Sequence, residues 1–179
     1  MALECPEDNT CWDTRDQYFL GEEILVAPVL KHIRSRQIYL PQGRWVDFWT
    51  GQVTTGPAWI TYPVPKPVIP VFIKENSIIP VQLNHKNEMA GKISQDEKDS
   101  LKIGFLVFPQ DDAFIERTWK IYDPRKTRDT SAAVSLTRQA GKTQILSLHP
   151  ASAGVFIISP TGPNKGAARV LHPLPLKGE

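Results

Sequence analysis

A chain of 179 residues carrying a formal net charge of +2, with 41% hydrophobic and 22% charged residues, has the balance of a folded protein. Its 16 prolines, about 9% against a typical ~5%, remove backbone donors at short intervals and exclude long helices. Helical bundles, coiled coils and doubly wound α/β folds therefore give way to short strands joined by turns.

In chain order, the first helix signal is Thr10 followed three residues later by Asp13, in the manner of a capping box, with Gly21 placed as a left-handed C-terminal stop. Trp12, Tyr18 and Phe19 would give that helix its apolar side. Residues 24–30 read as a buried strand whose Pro28 marks an edge or an end. Next, residues 38–40 and 45–49 flank Pro41-Gln42-Gly43 as a hairpin. Residues 52–55 and 58–62 read as two further short strands, and residues 63–67 as an extended proline-rich connector. Residues 69–73 and 78–81 flank Lys74-Glu75-Asn76-Ser77 as another hairpin. The polar stretch beyond it reads as a linker, and strands resume at 101–108, 114–122, 132–138, 143–149 and 154–159, with a weaker one at 168–171. Residues 139–142 read as the hairpin turn between the third and fourth of these strands. The expected fold class is all-β, two small antiparallel β-sandwich domains behind a short helical N-terminal piece.

Few motifs carry chemistry. The Gly-Lys-Thr at 141–143 lacks the earlier glycine of a phosphate-binding loop, having Leu136 there instead. His32, His85, His149 and His172 are isolated, so neither a metal site nor a cofactor is expected. No G-x-S-x-G elbow is present. The nineteen carboxylates fall mostly in polar turn clusters. Asp47 differs, alternating with Trp45 and Trp49 along one strand, where it reads first as a structural hydrogen-bonding group and second as part of a groove. Trp45, Phe48, Trp49 and Trp59 lie within fifteen residues, and either fill a sandwich core or offer stacking platforms to a sugar. Trp45, Trp49, Trp59 and Asp47 are accordingly the candidate oligosaccharide-contacting residues. Cys5 and Cys11 fit either a small disulfide loop or two free thiols. The first thirty residues carry no secretory signal pattern, which favours free thiols and a cytoplasmic location. Nucleic acid gains no support from so small a charge, and the longest apolar run, residues 24–30, is far short of a membrane span.

An ordered set of residues is more specific. Pro6-Glu7-Asp8, Thr10-Cys11-Trp12-Asp13, Asp16-Gln17-Tyr18-Phe19-Leu20-Gly21 and Leu25-Val26-Ala27-Pro28-Val29 come first. Ile38-Tyr39-Leu40-Pro41, Gly43-Arg44-Trp45 and Phe48-Trp49-Thr50-Gly51 follow, then Ile69-Pro70-Val71-Phe72-Ile73 and Ser77-Ile78-Ile79-Pro80. This set, over residues 5–81, resembles the C-terminal region of glycoside hydrolase family 31. In the second half the likeness is faint, and Tyr122-Asp123-Pro124 only partly matches the family's acidic turn ending in glycine.

The resemblance implies retaining α-glycosidases (α-glucosidases, α-xylosidases and relatives, with a few lyases and transglycosylases) built from an N-terminal β-sandwich, a (β/α)8 barrel, and proximal and distal C-terminal sandwiches. It implies that both catalytic aspartates lie on barrel segments before the stretch matching Cys5, so no catalytic residue is carried over here. On that basis residues 1–21 are the remnant of the last barrel connection and helix, 22–83 the proximal sandwich, 84–99 a linker and 100–179 the distal sandwich. A barrel takes ~250 residues, more than this chain holds. The chain is expected to support that barrel, its principal partner, rather than to hydrolyse glycosides. As a fragment it is expected to self-associate through the surface around Trp12, Tyr18 and Phe19. A stand-alone carbohydrate-binding or interaction module using the Trp45 to Trp59 cluster is the alternative.

Overall fold

The computed structural model describes residues 1–31, 33–64, 68–83, 102–109, 112–121, 130–140, 142–149 and 154–157. The expected linker at 84–99, the turn at 122–124, the strand at 168–171 and most of the proline connector lie outside these residues. The chain forms two units, the second beginning at Ile78. Among the described residues both are all-β apart from one short helix, in keeping with the proline content.

In the first unit the helix α1 (Asn9–Asp13) is followed by β1 (Tyr18–Leu20), β2 (Ile24–Val26), β3 (Ser35–Asp47), β4 (Val53–Pro63) and β5 (Val71–Lys74). They form one antiparallel sheet in the order β1-β2-β5-β3-β4. The short helix expected between Thr10 and Gly21 is corrected here in its extent. α1 has five residues, its N-cap is Asp8 rather than Thr10, and the chain is already extended at Thr14. Tyr18, Phe19 and Leu20 alternate exposed, half-buried and exposed, the period of a strand. Gly21, at φ +68°, turns β1 into β2 instead of ending a helix.

The expected hairpin at Pro41-Gln42-Gly43 is also corrected. β3 runs on through this tripeptide, and one strand, β4, replaces the two short strands expected at 52–55 and 58–62. The register passes from Leu40 opposite Ala58 to Gly43 opposite Gly56, so one extra residue is accommodated on β3 as a bulge. Pro41 is tolerated because a bulge needs no ladder donor from it. The Trp45 indole N–H donates to the Pro41 carbonyl at 2.8 Å, which satisfies the acceptor that the bulge frees. Beyond the bulge, residues 45–47 of β3 pair with β5 on one side, and residues 43–46 with β4 on the other. Leu25, Ala27, Ile38, Leu40, Trp45, Tyr62 and Phe72 form the buried core, with Met1, Phe19 and Ile60 packed at its border. Tyr62 meets Phe72 edge to face, and burial, reinforced by the charge of Asp47 and a hydrogen bond to it, pushes the Tyr62 hydroxyl well above its usual range.

The second unit contains β6 (Ile78–Leu83), β7 (Lys102–Val107), β8 (Ala113–Ile121), β9 (Thr130–Gln139), β10 (Lys142–His149) and β11 (Gly154–Ile157). β8, β9 and β10 make an antiparallel meander, with Ala140 at φ +49° in the expected turn. The other sheet runs β11-β7-β6, and β11 lies parallel to β7. Phe105, Val107, Phe108, Ile115, Val134 and Leu136 are buried. The hairpin expected across Lys74-Glu75-Asn76-Ser77 does not form. β5 pairs with β2 and β3, whereas β6 pairs with β7. The amides of Lys74 and Glu75 bond to Glu23 and Arg44, which ties this stretch to the first sheet before Asn76 changes direction at φ +63°.

Gly56 faces the bulge with no room for a side chain. A Cβ there would fall well inside contact distance of the Pro41 carbonyl and 2.6 Å from that of Leu40. Because these are backbone atoms of the paired strand, Gly56→Ala is expected to destabilise the first unit by more than about 2 kcal/mol in chemical denaturation.

Candidate functional site

Two of the polar side chains buried in the first unit, those of Gln17 and Arg36, lie where the N-terminal segment meets β3. Gln17 is buried, and its side-chain amide substitutes for a strand. Its Nε2 donates to the Tyr39 carbonyl and its Oε1 accepts from the Tyr39 amide, each at 2.8 Å. One position from the start of β3, the buried Arg36 donates to the carbonyls of Pro28 and Asp16 and pairs with the Asp16 carboxylate at 2.9 Å. On the other side Asp8 caps α1 by accepting from the Thr10 amide at 2.9 Å, and accepts from the Tyr39 hydroxyl at 2.6 Å. The Tyr39 bond is the main cause holding the Asp8 carboxyl below its ordinary value, against the opposing effect of burial. Burial, then the bond to Asp8, pushes the Tyr39 hydroxyl up.

The free thiols expected at Cys5 and Cys11 are corrected, since the two form a disulfide. The single helical turn of α1 brings Cys11 back toward Cys5, with their Cα atoms 6.2 Å apart. Closing so short a loop contributes about 2 kcal/mol by restricting the unfolded chain. Above this segment lies an open concavity of about 730 Å³, with Phe19, Tyr39 and Trp45 among its lining residues and Glu4, Glu7, Glu22 and Lys74 supplying charge. Among the described residues no cluster of three or more His, Cys, Asp or Glu is placed to hold a metal ion.

The four residues singled out as sugar contacts do not share a face. Trp45 is 1% exposed and lies in the core, its ring 5.8 Å from that of Phe19. Asp47 is buried and accepts from the amides of Trp49 at 2.8 Å and Thr50 at 3.2 Å, so its carboxylate shapes the loop between β3 and β4. Trp49 is half-exposed, edge-on to Phe48, with its indole N–H given to the Ile69 carbonyl. Trp59 is 56% exposed and lies against Tyr39, its partner across the sheet. Trp59 therefore sits beside position 39 of β3 and Trp49 beyond position 47, on the order of 25 Å apart along the strand at ~3.3 Å per residue. A single sugar ring cannot span them. Gln17, Arg36, Asp8 and Tyr39 escaped the sequence reading because their pairing is non-local and leaves no periodic trace.

These features define an all-β domain built on a bulged strand pair. Residues 1–79 match the glycosyl hydrolase family 31 C-terminal domain. The chain is 36% identical over 110 residues to an isomaltosyltransferase of Sporosarcina globispora, a match covering 61% of this chain and 10% of that relative. Among solved structures, a cycloalternan-forming enzyme from Listeria monocytogenes in complex with a pentasaccharide superposes with a TM-score of 0.70 at 27% identity, covering 88% of this chain and 15% of that one. A Flavobacterium johnsoniae dextranase complexed with glucose gives 0.66 at 28% identity, covering 80% and 18%. The structural likeness thus reaches beyond the 79 residues of the family match, while the chain spans only a small part of each relative.

The lowered pKa of Asp8 fixes the sign of a pH effect. A carboxyl held below its ordinary value of 3.8 contributes stability that is present above that pH and is lost as pH falls through the lowered value. Asp8→Asn retains a capping oxygen but loses the charge. Its stability deficit relative to wild type is expected to be about 1 kcal/mol at pH 6 and to shrink steadily below pH 3.8, as read by urea denaturation across pH 3 to 6.

Proposed function

We propose that this chain serves as the non-catalytic C-terminal β portion of a retaining α-glycosidase or transglycosylase, supporting a (β/α)8 barrel that carries the chemistry. The observation that carries this reading is the combination of a firmly clasped N-terminal segment and the apolar groups it leaves uncovered. Trp12, Tyr18 and Leu20 are all exposed on the segment that Gln17, Arg36 and Asp8 fasten to β3. Phe19, between two of them, points the other way and packs against Trp45. A rigid surface of this kind is suited to burial against another domain. Retaining hydrolysis needs two carboxyl groups ~5–5.5 Å apart in a cleft, and the buried carboxylate of Asp47 is spent on a turn. The isomaltosyltransferase and the dextranase complexed with glucose favour a substrate built from glucose units for the whole enzyme.

Two measurements test this reading. The purified chain is expected to show no turnover of aryl α-glucosides or α-xylosides at any pH from 4 to 8, and turnover that stays with the chain through purification overturns it. By itself the chain is expected to self-associate at high concentration in analytical ultracentrifugation, with Trp12→Ser and Leu20→Lys together restoring a monomer. A wild-type chain that stays monomeric throughout would show that the exposed face needs no cover.

A further inference from the structure

Trp59 differs from Trp12, Trp45 and Trp49 in one chemical respect. Trp12, Trp45 and Trp49 each donate their indole N–H to a backbone carbonyl, those of Pro6, Pro41 and Ile69. Trp59 has no such acceptor among the described residues, and it is more than half exposed. Its ring rests on Tyr39 with centroids 5.2 Å apart at 47°, and β3–β4 pairing fixes its position. It also forms one wall of a second concavity, about 450 Å³, whose other walls are Thr10, Asp13, Thr14, Arg15 and Asp16.

The other walls are set by the turn that ends α1. Thr14 donates its hydroxyl to the Thr10 carbonyl at 2.7 Å, and Asp16 is engaged by Arg36. Asp13 and Arg15 are exposed and make no ion pair among the described residues. A fixed indole with a free donor, a carboxylate that only accepts and a guanidinium that only donates thus line one shallow space. That set suits a neutral polyhydroxylated ring. The apolar C–H face of a pyranose lies on an aromatic ring, and its neighbouring hydroxyls donate to a carboxylate and accept from a guanidinium or an indole N–H. Two carboxylates within the same walls disfavour a phosphate or a nucleic-acid backbone.

We propose that Trp59, Asp13 and Arg15 form a surface subsite for one or two pyranose units of an oligosaccharide. The site lies apart from the core tryptophan and from the turn carboxylate, and it retains only Trp59 of the four residues first considered. It deepens the glycosidase reading by giving the module a substrate contact of its own. Its test reads binding alone, so its failure leaves the turnover and self-association outcomes untouched.

The experiment titrates ¹⁵N-indole-labelled chain with isomaltotriose and, separately, maltotriose, following the tryptophan Nε1–H resonances. The Trp59 resonance is expected to shift saturably with a dissociation constant on the order of 1 mM for at least one sugar, while that of Trp45 stays in place. By calorimetry, Asp13→Asn and Arg15→Ala should each weaken binding at least about threefold, and Trp59→Ala at least about tenfold. Trp49→Ala should leave it unchanged. The unshifted Trp45 resonance reports that each variant is folded, and if Trp59→Ala fails that check, Trp59→Phe together with Arg15→Ala decides. A Trp59 resonance unmoved at about 20 mM of either sugar, or affinity intact in the folded variants, overturns the proposal.

Discussion

The first unit depends on one side chain acting as backbone. Gln17 gives the amide and carbonyl of Tyr39 the two bonds that a neighbouring strand would supply, in a place where no strand runs among the described residues. Without it a buried donor and a buried acceptor on β3 would go unmet, each at a cost of about 1–3 kcal/mol. The same pair of bonds fixes where residues 18–20 must begin, and so which of Tyr18 and Phe19 turns inward. Arg36 and Asp8 then fasten the segment on either side of that anchor. Truncating any of the three would leave charged or polar groups stranded, so the attachment is specific as well as stable.

This anchoring ties the fold to the surface it presents. Tyr39 is bonded through its backbone to Gln17 and through its hydroxyl to Asp8, and its ring supports Trp59. One residue of β3 thus sets the position of the N-terminal segment, the cap of the helix and the exposed indole together. The exposed groups are therefore held on a rigid frame, and such positioning limits the entropy lost when a partner binds.

Much of this was legible in the sequence, and the failures have physical causes. The proline count and the short apolar runs indicated an all-β chain, and the ordered Trp, Pro and Gly positions pointed to the family. The helix over residues 10–21 was misread because Thr10, Asp13 and Gly21 have the right local chemistry, whereas the long-range bond of Gln17 to Tyr39 makes the chain extended by residue 18. The Pro-Gln-Gly stretch carries a turn signature, and only the pairing of β3 with β4 on both sides of it shows that it is a bulge. Spacing alone could not separate the tryptophans either. Trp45 and Trp49 are four apart, but the first is enclosed by core residues and the second lies past the strand end. The disulfide runs against the thiol expectation because a compartment argument says nothing about the geometry that one turn of α1 creates.

The bulge in β3 also means that chain length between residues 40 and 45 is itself information. Core positions on this strand are even-numbered before it, at Ile38 and Leu40, and odd-numbered after it, at Trp45. Removing or adding one residue in that interval would exchange the inner and outer faces of everything downstream. It would carry Trp45 out of the core and break its bond to Pro41. When related chains are aligned, a one-residue gap placed there describes a different protein surface, and a graft of this strand pair into another scaffold must take the irregular tripeptide with it.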